Sequence, residues 1–178
     1  MTKKSLPLSE VYRLLEPGPV VMLATSDKGK PNVMTMSWHM MVDFEPPILA
    51  CVVSNGDYSF NALKKTGECT VNIPAANLAK KVVACGNSSG ETTDKFKKFG
   101  LTPKASACVK APRVEECYAN FECRVVDKSL VTKYNIFILE VVKAWIDPAR
   151  KNPRTIHHRG KGVFAIDGKI IKLPSKMK

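Results

Sequence analysis

The sequence predicts a mainly β protein with helices, built as a β-barrel with helical decoration. Three observations carry this: many strand-like runs, few and short helical stretches, and turn signals between them. The elements follow in order. A short helix over Leu8 to Glu16 is stopped by Pro17 and Gly18. The apolar run "PVVMLAT", a turn from Asp27 to Pro31 and the alternating "MTMSWHM" then make residues 19 to 40 read as strand, turn, strand. In that last piece Met34, Met36, Trp38 and Met40 face one way, and Thr35, Ser37 and His39 face the other.

"VDFEPP" reads as a loop, and Ile48 to Val53 as a strand too apolar to be one-sided, hence central and buried. Ser59 is placed to cap a helix ending at Gly67, and "CTVNI" to form a strand. "PAANLAKKVVACGN" presents Leu78, Val82 and Cys85 at helical spacing and stops at Gly86. "SSGETTDKFKKFGL" is a small-residue loop opening a helix with Phe96 and Phe99 inward; such a loop leaves N–H groups suited to an anion. Residues 106 to 147 are strand-rich, and "VFAIDGKIIKL" is expected to form a hairpin turning at Asp167 and Gly168.

The chain has 178 residues, 44% hydrophobic and 25% charged, which suits one domain spanning residues 1–178 with a sizeable core. There is no apolar leader and no run of membrane-spanning length, so no membrane association is expected. The six cysteines show no CxxC pair, and no metal site is expected. Cysteines 51, 69 and 85 fall in core-like segments, as free thiols do in a reducing compartment, which points to the cytoplasm.

Net charge is +12, and residues 143–178 hold ten Lys or Arg against Asp147 and Asp167. This tail is either a solvated surface or an attractor of a polyanion such as a phosphorylated cofactor. With no binding motif and only 7% aromatics for base stacking, nucleic acid is not the expected partner. No triad, zincin or Gly-rich phosphate-loop signature appears, so no catalytic residue is named; a cofactor is expected to bring the chemistry.

Five segments in order, "PVVMLATSDKGKPNVMTMSW", "EPPILACVVSNGDYSFNAL", "ECTVNIP", "SSGETTDKFKKFGLT" and "FECRV", resemble the flavin reductase-like proteins of the FMN-binding split β-barrel fold, a Greek-key barrel. Within them the flavoredoxin branch is most similar. The resemblance covers about residues 19–147, leaving 148–178 as a basic extension. It implies noncovalent FMN, NAD(P)H or a reduced carrier as electron donor, flavin, ferric or protein acceptors, a possible redox partner protein, and a homodimer with flavin at the interface.

By the same resemblance Asn32, Thr35, Met36, Ser37 and Trp38 lie along the flavin, and Cys51, Val52, Val53 and Ser54 run beside its ring. Ser59 is a hydroxyl near the phosphate, and Ser88, Ser89 and Lys95 close over it. For Lys95 the plain alternative is an exposed helix lysine. Where relatives carry a GDH sequence this chain reads Lys133, Tyr134, Asn135, so a histidine near the nicotinamide is missing there. His157 and His158 either supply it from the tail or are surface residues. Trp145 or the tail could contribute to flavin across a dimer interface. Two readings compete with a reductase: a non-catalytic FMN electron carrier on the same fold, and a basic nucleic-acid-binding barrel.

Overall fold

The structure, a computed structural model, describes residues 3–11 and 18–174. Its strands are β1 (Lys4–Leu6), β2 (Val21–Asp27), β3 (Lys30–Met36), β4 (His39–Phe44), β5 (Pro47–Val52), β6 (Glu68–Ile73), β7 (Pro103–Lys104), β8 (Arg113–Val114), β9 (Ala119–Asp127), β10 (Ile136–Ile146), β11 (Ile156–His158) and β12 (Phe164–Ile166). The helices are α1 (Tyr58–Thr66), α2 (Ala79–Gly86), α3 (Lys95–Phe99) and α4 (Val131–Tyr134).

One antiparallel eight-stranded sheet runs β3-β2-β6-β9-β10-β5-β4, with β1 on β10 beyond the end of β5. Its two edges, β3 and β4, are consecutive in the chain and joined only by Ser37 and Trp38. Three residue steps span no more than about 11 Å. The sheet must therefore roll until its edges face each other, which makes a barrel split along the β3/β4 seam. This is the split-barrel architecture that the sequence resemblance implies.

The β2–β3 hairpin closes with Lys28 and Gly29, at φ +51° and +76°, the two positive values a tight two-residue hairpin turn demands. β2 is buried on both faces. Val21 and Leu23 point into the barrel with Leu49, Phe121, Phe137 and Leu139, while Met22 and Ala24 pack outside it under Leu78, Val82, Cys85 and Phe96. Each such side chain contributes about 1.5–3 kcal/mol when fully buried.

Several expectations change. The alternation from residue 34 to 40 is not one strand: β3 ends at Met36, and Trp38 and Met40 stand in solvent instead of joining the core. Of the segment read as a loop, Val42 to Phe44 belong to β4, which pairs with β5 through His39↔Cys51 to Phe44↔Pro47, and only Glu45 and Pro46 form the turn between them. β5 alternates buried and half-buried residues despite its apolar composition, because the second core, among the described residues, does not extend over its outer face; β2 is the strand covered on both faces.

Ser59 lies inside α1 and is fully buried, and the position before the helix belongs to Asp57. Gly67 ends α1 at φ +68°, as read. The final hairpin is displaced: β12 pairs back with β11, and the chain reverses near Gly160 and Gly162 rather than at Asp167 and Gly168. Asp167 instead pairs with Thr155: its N–H donates to the Thr155 carbonyl at 3.1 Å, and its carboxylate Oδ1 accepts from Thr155 N–H. Of the N-terminal helix, Leu8–Glu10 is a single 3-10 turn and residues 12–17 lie outside the described residues.

The segment after Asp147 packs on the body. Ile156 is buried in the second core, its carbonyl accepting from Val20 N–H at 2.7 Å. No helix among the described residues is long and apolar enough to cross a membrane.

Candidate functional site

Three elements converge at the hairpin end of the barrel: β3, the start of α1, and the loop from Ser88 into α3. Asn32 on β3 donates through Nδ2 to Ser59 Oγ on α1 at 2.8 Å, tying strand to helix. Thr35 on the same strand donates to the Val82 carbonyl of α2 at 2.6 Å. α2 approaches so closely there that a Cβ on Gly86 would lie 3.4 Å from that of Thr35. Gly90 is tighter still: a Cβ would overlap Asn32 Oδ1 and come within 2.6 Å of the Tyr58 ring.

Asp94 caps α3, its carboxylate accepting from Lys97 N–H at 3.1 Å. The first residue of that helix, Lys95, is only 5% exposed, and its Nζ donates to the Cys85 carbonyl at 3.0 Å. The result is a cleft of about 330 Å³ lined by Asn32, Thr35, Ser59, Ser88, Ser89 and Lys95, with Gly56 to Tyr58 and Gly90 completing its wall.

Its donors can be counted. The Lys95 ammonium has one of three N–H groups engaged. Ser59 and Ser89 accept from Asn32 and from Glu91 N–H, which leaves each hydroxyl proton to give. Ser88 already donates to the Ala84 carbonyl at 3.0 Å.

Burial pulls the Lys95 pKa below the ordinary lysine value, with Cys85 and Asp57 pushing back. The Cys85 thiol is itself pushed up to about 11 by burial, so it remains neutral. Among the described residues Lys95 makes no ion pair. A buried cation short of an anion, beside free hydroxyl donors, suits a dianionic group.

Two further clefts adjoin it. One, of about 660 Å³, continues past Asn32, Tyr58 and Ser89 toward the β2–β3 turn. The other, of about 340 Å³, shares Thr35, Gly86 and Asn87 and adds Ser37, His158 and Phe164. Among the described residues no group of three or more His, Cys, Asp or Glu side chains gathers as for a metal ion.

A model of the flavin reductase like domain matches residues 13–164, which include every residue named here as lining these clefts. The chain belongs to the flavin reductase-like family. An uncharacterized protein of Escherichia coli K12, YddH, is 32% identical over 93% of this chain and 95% of its own length. The crystal structure of an FMN-binding domain of a flavin reductases-like enzyme from Shewanella baltica superposes with a TM-score of 0.89 at 25% identity, over 97% of this chain and 98% of that one. A flavoredoxin from Methanosarcina acetivorans gives 0.76 at 27% identity over 89% of each chain.

Against that family frame the expected site residues divide. Asn32, Thr35, Ser59, Ser88, Ser89 and Lys95 meet in the 330 Å³ cleft, and Ser37 lines its neighbour. Met36, Cys51 and Val53 turn their side chains into the barrel core, leaving only backbone to face outward. Trp38 and Val52 meet at the seam, where Val52 N–H donates to the Trp38 carbonyl at 3.0 Å, and Ser54 is exposed beyond it.

Trp145 is held within its own chain, donating to buried Glu122 at 2.8 Å under the Arg113 guanidinium. Asn135 takes φ +59° after α4, and its carbonyl accepts from Val53 N–H. The histidine pair separates: both His157 ring nitrogens are engaged, with Thr155 Oγ1 and the Gly18 carbonyl, whereas His158 lines a cleft. Tyr58 and Gly90 were not named as site residues in the sequence reading, and Gly86 was named only as a helix stop. Gly90 carried a signal, a glycine closing "SSG" before a helix, that reads as close backbone approach.

Proposed function

We propose that this chain holds FMN noncovalently and acts as a flavin reductase-type oxidoreductase. In this reading it passes electrons from NAD(P)H or a reduced carrier to flavin, ferric or protein acceptors. The observation that carries it is the cleft around Lys95: a buried ammonium that makes no ion pair among the described residues, two hydroxyls with a proton left to give, and a glycine that lets the loop close. The donor set fits a terminal phosphate dianion. Lys95, Ser59 and Ser89 would hold the phosphate, Asn32 and Thr35 would flank the ribityl chain, and Ser37 with the backbone of 51–54 would border the ring.

Bound there, the flavin supplies the electron acceptance and donation that no side chain here can. The chain's own work is to bind and orient it and to exclude water; hydride transfer needs no acid or base, in keeping with the absence of a triad.

The seam side is proposed to be completed by a second copy. β4 is an edge strand, and Trp38 just before it with its Met40, Val42 and Phe44 are 72, 61, 52 and 43% exposed. An exposed apolar row on an unpaired edge is a site that another chain covers. The buried free thiols accord with a reducing, cytoplasmic setting.

A carrier reading remains as the second one, favoured by the Lys133-Tyr134-Asn135 sequence in place of a histidine. The test is the visible spectrum of the purified protein with FMN added back. Flavin bands that bleach with NADPH support a reductase. Bands that bleach only with dithionite favour the carrier. A protein that neither carries nor takes up flavin contradicts both.

A further inference from the structure

The chain beyond β12 has the composition of a strand, yet it forms no helix or strand. Residues 167–174, "DGKIIKLP", set Ile170, Ile171 and Leu173 around Lys169 and Lys172, and they take no part in any sheet of the described residues. The three apolar side chains are 71, 65 and 70% exposed, as open to water as Trp38. β-branched and apolar residues favour a pleated, half-buried surface, and a contiguous exposed apolar run marks a contact surface.

The course of this arm points to another chain. β12 begins at Phe164, which shares a cleft with Ser37 beside the seam. It then runs back along β11 to Asp167, whose N–H donates to the Thr155 carbonyl and whose carbonyl accepts from Arg154 Nε at 2.9 Å. The arm therefore leaves from the end of the hairpin remote from its own Ser37 and Trp38.

The seam strand complements the arm in shape and charge. β4 ends the sheet, paired with β5 alone, and shows Met40 and Val42 in line with Trp38. At its far end Asp43 and Glu45 are exposed and make no ion pair among the described residues, and the same holds for Lys169 and Lys172 of the arm. Eight extended residues reach about 26 Å, whereas the six residues of β4 cover about 20 Å, so the arm is long enough to run the strand's whole length.

We propose that residues 167–174 of each chain lie along the β4 seam of a second copy, in a symmetric exchange of arms. Ile170, Ile171 and Leu173 cover the partner copy's apolar row, and Lys169 and Lys172 meet the acids at its end. This rests on the reading that a second copy completes the seam, and it names the segment that does so.

The test is made on full-length chains by analytical ultracentrifugation and by cross-linking. Replacing the arm's three apolar residues together, Ile170→Lys, Ile171→Lys and Leu173→Lys, should weaken self-association at least about a hundredfold. Asp43→Lys with Glu45→Lys should weaken it about tenfold, and adding Lys169→Glu with Lys172→Glu should restore most of that loss. In a Cys108→Ser background, which removes the exposed thiol, a Val42→Cys chain mixed with a Leu173→Cys chain should join on mild oxidation with diamide.

A dimer that persists unchanged in the triple variant overturns the exchange, since the second copy would then cover the seam with its barrel alone. A cross-link that forms only within single chains carrying both cysteines overturns it too, because the arm would then fold onto its own seam. A parent that stays monomeric removes both the exchange and the second copy. FMN titration of the same preparations is read separately: a parent that takes up no flavin strikes the proposed function, whereas self-association and cross-linking alone decide the arm.

Discussion

At the Lys95 end of the groove a single chain builds everything: strand, two helices and a glycine-tightened loop enclose a cation and its neighbouring hydroxyls. At the Trp38 end the same chain leaves four apolar side chains exposed along an edge strand. Polar recognition of a compact anion needs fixed donors at short range, which local elements supply. Covering a broad apolar face needs area, and the barrel has spent its area closing on itself. The difference teaches where each half of a flavin would find its contacts in the proposed complex: the phosphate within one chain, the ring beside a seam that the proposed second copy would complete.

The sharpest way to break this picture is Lys95→Met, which keeps most of the buried stem and removes the charge. Losing one partner of a buried charged hydrogen bond costs roughly 2–4 kcal/mol, so FMN should bind about 30- to 1,000-fold more weakly by fluorescence titration. The ligand-free protein should be at least as stable, since the variant no longer buries an unpaired ammonium. A matching loss of stability would mean that Lys95 is structural.

Next in size is the seam. Trp38→Lys with Met40→Lys should shift the protein toward monomer in light scattering while leaving its circular dichroism unchanged. If dimer persists, the apolar row is not the interface. Ser59→Ala should weaken FMN by about three- to tenfold, the scale of one neutral hydrogen bond, and should loosen Asn32 as well.

The smallest effect is in pH. Burial lowers the His39 pKa below its ordinary value, and the hydrogen bond to the Pro19 carbonyl at 2.7 Å only partly opposes this. The unfolded chain therefore takes up a proton near pH 6.5 that the folded chain resists, and stability falls as pH drops through that range. In His39→Gln the acid-side decline should be shallower in urea melts. Lys95 gives the opposite limb: its lowered pKa makes the ligand-free fold gain stability as pH rises toward 10.5, over the same window in which FMN binding weakens.

Much of this was legible in the sequence where one signal dominated. α2 followed from Leu78, Val82 and Cys85, α1's end from Gly67, and six of the cleft residues from motifs within three segments. What was missed depended on partners the local sequence does not show. β4 hid behind Asp43 and two prolines because its alternation is apolar on the side left exposed. Apolar composition alone could not tell β5, uncovered on its outer face, from β2, sandwiched between two cores. Asp167 and Gly168 carry a turn dipeptide, but the bonds between Asp167 and Thr155 claim them for a different pairing. Gly90 could be read only once Asn32 and Tyr58 were seen pressed against it.

The most direct test of the central claim, that the Lys95 cleft is built for a phosphate, is to titrate the same preparation with FMN and with riboflavin, which differ only in that group. Two charge-assisted contacts predict that FMN binds about a hundredfold or more tighter. Equal affinity for the two would contradict the account.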